Sequence, residues 1–142
     1  MIGSLPHARA LPHVLPPCEN ARIALFAIRR MAAHGLADAR ASQILFIAFG
    51  SDFRRPLLLL RALMADLASR STASIAVAPC CCTRMTPAEQ ALLVVLARAE
   101  TAPDSARLLL ADLLDTRCVD GVLASAAAVA VAFADAGRPV TI

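Results

Sequence analysis

Residues 78–89 have the sequence Ala78-Pro79-Cys80-Cys81-Cys82-Thr83-Arg84-Met85-Thr86-Pro87-Ala88-Glu89, and helix-like segments lie on both sides of them. Their second half predicts the start of a helix. Thr86 is a favoured N-cap, Pro87 is tolerated at the first helical position, and Glu89 follows at the third. The Thr86 and Glu89 side chains can then each satisfy a free backbone amide of the other residue. The first half places three consecutive thiols directly before this helix.

Apolar residues recur with the 3.6-residue period of helices on both sides of this stretch. The predicted helices begin near 18–20, 39, 52–56, 87, 103 and 120, and they end near 34, 49, 69, 100, 114 and 136. Gly35, Gly50 and Gly137 follow three of them, as expected of helix terminators. On the first helix the periodicity places Arg22, Arg29 and Arg30 largely off the buried face.

The composition agrees with closely packed helices. Of the 142 residues 58% are hydrophobic, but only 4% are aromatic, so the core must consist of Ala, Leu, Val and Ile. This favours helices over a β-sandwich, whose strands are usually rich in aromatic and β-branched residues. We therefore predict an all-α fold: a compact bundle of five to six helices in one domain, residues 18–142.

Two segments depart from the helical period. In residues 72–78 the small or polar Thr72, Ser74 and Ala76 alternate with Ala73, Ile75 and Val77, which predicts a short strand. A strand needs a partner, and we expect it either in the extended-looking residues 138–142 or across a dimer. Residues 1–17 contain four prolines and form an arm that is either partly disordered or extended along a partner subunit.

Two helices are candidates for a subunit interface. The helix at 39–49 is apolar nearly all round, so it is either central or an interface, and the last helix has an Ala-rich surface that permits close approach of a neighbour. We predict a homodimer through one of them.

Several function classes are disfavoured. The net charge of +3 is too small to indicate nucleic-acid binding by itself, and a possible second recognition helix after residue 103 carries more Asp than Arg. Despite a mean hydropathy of +0.65, the uncharged runs are too short to span a membrane, so we expect no membrane insertion. Five cysteines without regular spacing indicate a reducing cytoplasm rather than a disulfide framework. No catalytic residues can be assigned.

The thiols Cys80, Cys81 and Cys82 are the main candidates for a metal or redox site. A tetrahedral zinc ion needs four ligands, so Cys18, Cys118 or His34 would have to complete a thiolate-bound metal site from elsewhere. A redox role is the second possibility, since proximity to Arg84 and to a helix start increases the thiolate fraction. The third interpretation, which we favour, is that they are buried small apolar residues packing a tight connection.

Arginine pairs suggest an anion site. Arg29, Arg30, Arg54 and Arg55, with Arg22 and Arg61, form an anion-binding patch if the first and third helices are neighbours. Arg84 is a further candidate for this site. The alternative is that these side chains are solvated or paired with carboxylates.

Four motifs carry a resemblance to a known group of proteins. They are Ala27-Ile28-Arg29-Arg30-Met31, Phe53-Arg54-Arg55-Pro56-Leu57, Pro79-Cys80-Cys81-Cys82 followed by Met85-Thr86, and Ala134-Asp135-Ala136-Gly137-Arg138-Pro139. The chain resembles a small uncharacterised alphaproteobacterial, sphingomonad-type family. That resemblance implies a bacterial cytoplasmic protein and transfers no catalytic role. The sequence thus favours a non-enzymatic interaction or regulatory protein, with a thiol-based metal or redox protein as the alternative.

Overall fold

The periodic apolar segments form helices in the computed structural model, which describes residues 2–4 and 11–142. The helices are α1 (Glu19–His34), α2 (Ala39–Phe49), α3 (Arg54–Arg70), α4 (Pro87–Arg98), α5 (Pro103–Leu114) and α6 (Asp120–Asp135). A 3-10 turn, Gly50–Asp52, joins α2 to α3. The mainly helical class and the predicted helices are confirmed.

The core forms around the contact between α3 and α6, the most extensive helix pair in the structure. The predicted apolar stripe of α3 is buried: Leu57, Leu60, Leu63, Met64 and Leu67. Small residues of α6, such as Ala126, let the two helices approach closely, and Phe133 is fully buried beside them. Each such buried Leu or Phe side chain contributes about 1.5–3 kcal/mol. The Ala-rich surface of α6 therefore packs largely inside the domain.

Helix α2 lies at the edge of the domain, against α1. Only Ala41, Leu45 and Phe49 of α2 are buried. Of the two interpretations of its apolar sequence, a central position is therefore wrong. The opposite side of α2 is exposed.

In the described part of the chain, four short strands pair in two separate ladders. Strand β1 (Ile2–Ser4) runs parallel to β3 (Ile75–Val77), with Ile2 opposite Ile75. Strand β2 (His13–Val14) runs antiparallel to β4 (Arg84–Met85). The arm thus supplies the partners of both strands that flank the thiols. Residue 1 and residues 5–10, which include the first of the arm's prolines, lie outside the described residues.

The expected pairing of β3 with residues 138–142 is wrong. Those residues lie instead against the start of α1, where Asn20 Nδ2 donates to the Pro139 carbonyl at 3.0 Å and Arg138 Nη1 donates to Asn20 Oδ1 at 3.1 Å. The side-chain hydrogen bonds of Asn20 hold the C-terminus there. Among the described residues, no helix is both long enough and apolar enough to cross a bilayer.

Candidate functional site

A buried ion pair lies at the centre of residues 78–89. Arg29 of α1 and Glu89 of α4 are only 3% and 2% exposed, and Arg29 Nε lies 2.6 Å from Glu89 Oε2. The prediction that Arg29 lies off the buried face of α1 is wrong. The helical period alone suggests a solvated position, but a carboxylate from another helix makes burial of the guanidinium tolerable.

The Glu89 carboxylate accepts four hydrogen bonds. Its Oε1 accepts from Arg29 Nη2 at 3.1 Å and from the Thr86 amide at 2.9 Å. Its Oε2 accepts from Arg29 Nε at 2.6 Å and from the Ala78 amide at 3.3 Å. Four donors account for the usual acceptor capacity of a carboxylate, so a charged group can be buried here at a tolerable cost.

Thr86 connects this ion pair to strand β3. Its Oγ1 accepts from the Glu89 amide at 3.0 Å, which confirms the predicted capping box. The same hydroxyl donates to the Ala76 carbonyl at 2.7 Å. The start of α4 is therefore also tied to strand β3, and this second role is not visible in the sequence motif.

The three thiols lie on a tight turn held by Arg29. The Cys82 amide donates to the Pro79 carbonyl at 3.0 Å, and Arg29 Nη1 donates to the Cys82 carbonyl at 2.9 Å. Cys80 and Cys81 are exposed, and Cys82 is half-buried. The interpretation of these cysteines as buried apolar residues is thus wrong for Cys80 and Cys81. Backbone hydrogen bonds to a buried guanidinium, rather than sulfur packing, shape the connection.

A second ion pair lies beside this turn. Arg30 donates to Asp38 through Nε at 3.0 Å and Nη2 at 2.9 Å. The hydrogen bond from Arg30, supported by the Ala41 amide, lowers the pKa of Asp38 to about 2. The Asp38 hydrogen bond in turn raises the pKa of Arg30, with a smaller contribution from the neighbouring Cys80 thiol. One of the three thiols therefore lies against a guanidinium.

The other two cysteines occupy different surroundings. Cys18 occupies the N-cap position of α1 and lies near the C-terminal segment. Its partial burial acts to raise the pKa of the thiol, but hydrogen bonds from Thr141 and from the Ala21 amide outweigh burial, so the pKa is lowered. Cys118 is exposed between α5 and α6. Within residues 2–4 and 11–142, no group of three or more His, Cys, Asp and Glu side chains is placed to hold a metal ion.

The candidate anion-binding arginines have separate partners. Arg29 binds Glu89 and Arg30 binds Asp38, whereas Arg84 donates to the Leu11 and Pro12 carbonyls of the arm at 2.5 and 3.1 Å. The guanidinium groups of Arg29, Arg30 and Arg84 thus each hydrogen-bond to other groups of the same chain.

Arg54 and Arg55 line a cavity of about 480 Å³ at the start of α3. Asp52 and Asp135 also line it, and Arg55 Nη1 lies 3.0 Å from Asp135 Oδ2. Two arginines and two aspartates thus line the same cavity, and one of the arginines, Arg55, is paired with a carboxylate.

The outer α2 face comprises Ala39, Arg40, Gln43, Phe46 and Ile47, all of which are exposed. Phe46 is 54% exposed and Ile47 is 68% exposed. A groove of about 200 Å³ runs along this face against α1, where Phe26 forms its other wall. Sequence periodicity identified the apolar character of α2, but only the packing of α1 and α3 decides which side is left free.

These features define a mainly helical single-domain protein with a buried Arg-Glu pair and an exposed apolar helix face. The chain belongs to a family of unknown function, DUF6628, whose model matches residues 6–135. The predicted resemblance to an uncharacterised family is therefore confirmed. The alphaproteobacterial origin of that family stays a prediction. No curated protein and no solved structure matches the chain.

Proposed function

We propose that this protein is a non-enzymatic interaction module whose binding surface is the outer α2 face. One observation carries the proposal: Phe46 and Ile47 are adjacent, large, apolar and more than half exposed. Contiguous exposed apolar side chains are typical of surfaces that bind another protein. Burying them releases about 25 cal/mol for each Å² removed from water.

The surface is held rigidly, which favours binding because little conformational entropy is lost. The Asp38 side chain accepts from the Ala41 amide at 3.0 Å and fixes the start of α2. Arg61 of α3 donates to the Ser42 hydroxyl at 2.9 Å and ties α2 to its neighbour. The Phe46 ring packs edge-on against Phe53, with centroids 5.2 Å apart. A preformed face of this kind binds without a folding step.

Photo-cross-linking in cells tests the proposal. Benzoylphenylalanine at position 43 lies in the middle of the outer α2 face, and we expect it to give a defined adduct on irradiation. Position 108 is the matched control, because Leu108 of α5 is 73% exposed but lies outside this face. No adduct at position 43, or equal adducts at both positions, would show that the outer α2 face does not bind a protein.

A thiol-based redox-responsive or metal-binding protein centred on Cys80–Cys82 is the second candidate. The observation in its favour is the exposed Cys80 thiol beside the Arg30 guanidinium. Exposure leaves this thiol accessible to oxidants and metal ions.

Alkylation by iodoacetamide near neutral pH distinguishes the two candidates. The second candidate requires Cys80 to react faster than exposed Cys118, and Arg30→Gln to remove the difference. Equal rates at Cys80 and Cys118 would exclude a selectively activated thiol. Elemental analysis of anaerobically purified protein tests whether the protein binds a metal, since a metal-binding protein should contain a stoichiometric metal ion.

A further inference from the structure

We infer that the partner of the outer α2 face is a second copy of this chain, packed antiparallel about a two-fold axis at Gln43. This inference rests on the proposed function, because it names the partner of the same surface. It follows from the positions of five side chains on one helix and from the symmetry of a dimer.

The helical period places Gln43 in the middle of the outer α2 face. Successive residues are about 100° apart, so Ala39 and Phe46 lie on one flank and Arg40 and Ile47 on the other. In an antiparallel dimer with its two-fold axis at Gln43, each flank faces the same flank of the second copy. The two flanks run in opposite directions, so the N-terminal end of one lies opposite the C-terminal end of the other. Phe46 then faces Ala39 of the second copy, and Ile47 faces Arg40 of the second copy.

These pairs match in size and chemistry. The large Phe46 ring meets the smallest side chain of the face, Ala39. Ile47 packs on the aliphatic stem of Arg40, whose guanidinium can stay in water. Two Gln43 amides meet at the axis, and each can donate a hydrogen bond to the other. The surface is therefore complementary to itself, as the interface of a two-fold dimer must be.

A parallel pairing fits less well. It would bring Phe46 opposite Ile47 at one end and Ala39 opposite Arg40 at the other, so the helices would be wedged apart. It would also place the two Arg40 charges at the same position along the helix axis. In the antiparallel pairing these residues are offset by about 9 Å along the helix axis, at about 1.5 Å per residue. Among the described residues, no carboxylate forms an ion pair with Arg40, so repulsion would be uncompensated in the parallel case.

The area of the face limits the strength of the dimer. Helix α2 has 11 residues and is therefore about 16 Å long and about 10 Å wide. That footprint falls short of the roughly 800 Å² per partner of a standard stable interface. The groove beside Phe26 adds apolar surface on the Ile47 flank. We expect a weak dimer that forms reversibly with rising protein concentration.

Cysteine cross-linking tests the pairing. The five natural cysteines are exposed or half-buried, so a cysteine-free background is feasible, and thermal unfolding checks that it folds. Single cysteines are introduced as Gln43→Cys, Ala39→Cys and Ile47→Cys. Disulfide formation requires Cα atoms within about 7 Å. We expect a covalent dimer from Gln43→Cys alone, because residues 39 and 47 lie about 12 Å from their own copies along the axis.

Light scattering over a concentration series is the second measurement. Mass should rise with concentration, and Ile47→Arg should weaken dimerisation at least about tenfold, because it places a second guanidinium against Arg40 of the second copy. Leu108→Arg, which is outside the face, should leave dimerisation unchanged.

Covalent dimers at all three positions would indicate parallel pairing and overturn the inference. A strict monomer without a cross-link at position 43 would overturn it too. Photo-cross-linking then separates the two proposals: an adduct with a different protein at position 43 keeps the proposed function and rejects the second copy, whereas no adduct rejects both.

Discussion

Arg29 Nε lies 2.6 Å from Glu89 Oε2, although the two residues are 60 positions apart in the sequence. The pair also binds the backbone of residues 78, 82, 84 and 86. It therefore joins α1 to α4 and shapes the turn that carries the thiols. The motif that starts α4 is part of a network that reaches across the domain.

Glu89→Ala should be severely destabilising. It leaves the Arg29 guanidinium buried without a counter-charge, and removing one partner of a buried ion pair costs about 3–5 kcal/mol. Urea unfolding measures the loss. Glu100→Ala, at an exposed position, is the control and should change stability by less than about 0.5 kcal/mol. A similar small loss for Glu89→Ala would mean that the carboxylate contributes little to the fold.

Thr86→Ala should destabilise the protein by about 1–2 kcal/mol, because it removes the N-cap hydroxyl of α4. The Ala76 carbonyl of β3 loses its donor in the same variant. Thr86→Ser keeps the hydroxyl and should retain most of the stability. Hydrogen exchange should also become faster at the Glu89 amide, which donates to this hydroxyl. Equal stability of the Ala and Ser variants would argue against the hydroxyl network.

Asp38 should make the domain acid-sensitive. Its pKa is lowered from 3.8 to about 2 in the folded chain, first by the Arg30 hydrogen bond. A lowered pKa in the folded state means that the stabilisation is present above about pH 4 and is lost as the pH falls towards 2. Asp38→Asn should lower stability at neutral pH and reduce its dependence on pH in this window. Asp112→Asn, on the exposed side of α5, provides the comparison, and identical pH profiles for Asp38→Asn and wild type would contradict the assignment.

Arg84→Ala should reduce the hydrogen-exchange protection of residues 11–14, which belong to the arm. The substitution removes the hydrogen bonds to the Leu11 and Pro12 carbonyls, next to the β2–β4 pairing. We expect faster hydrogen exchange in residues 11–14 while the core helices keep their protection. Arg117→Ala is a matched control at an exposed arginine outside this contact. Uniformly faster exchange throughout the domain would instead indicate global destabilisation.

Local features of the fold were predictable because their causes are local. The capping box of Thr86 and Glu89 follows from the geometry of a single helical turn, and Gly35 adopts the positive φ of a helix terminator, 99°. Apolar periodicity likewise identified the buried stripe of α3. Such signals depend on residues three or four positions apart, which a sequence displays directly.

The candidate site was less predictable because its contacts join distant residues. The Cys80–Cys82 run marks the connection between β3 and α4, but Cys80 and Cys81 are exposed and Cys82 is only half-buried. Arg29 was expected on the solvated side of α1, since no local pattern reports a carboxylate on α4. The arm's pairing with β3 was missed for the same reason.

By itself the sequence determined six helices, an aliphatic core and the start of α4, because propensity, period and capping act within one or two turns. It also determined that α2 is apolar on more than one side. Only the tertiary structure decided which side of α2 is covered and which carboxylate neutralises Arg29. Both depend on how helices pack, which is set by the combined burial and charge pairing of the whole chain. As a result, a buried arginine holds the thiol turn through the Cys82 carbonyl, and Phe46 and Ile47 stay exposed.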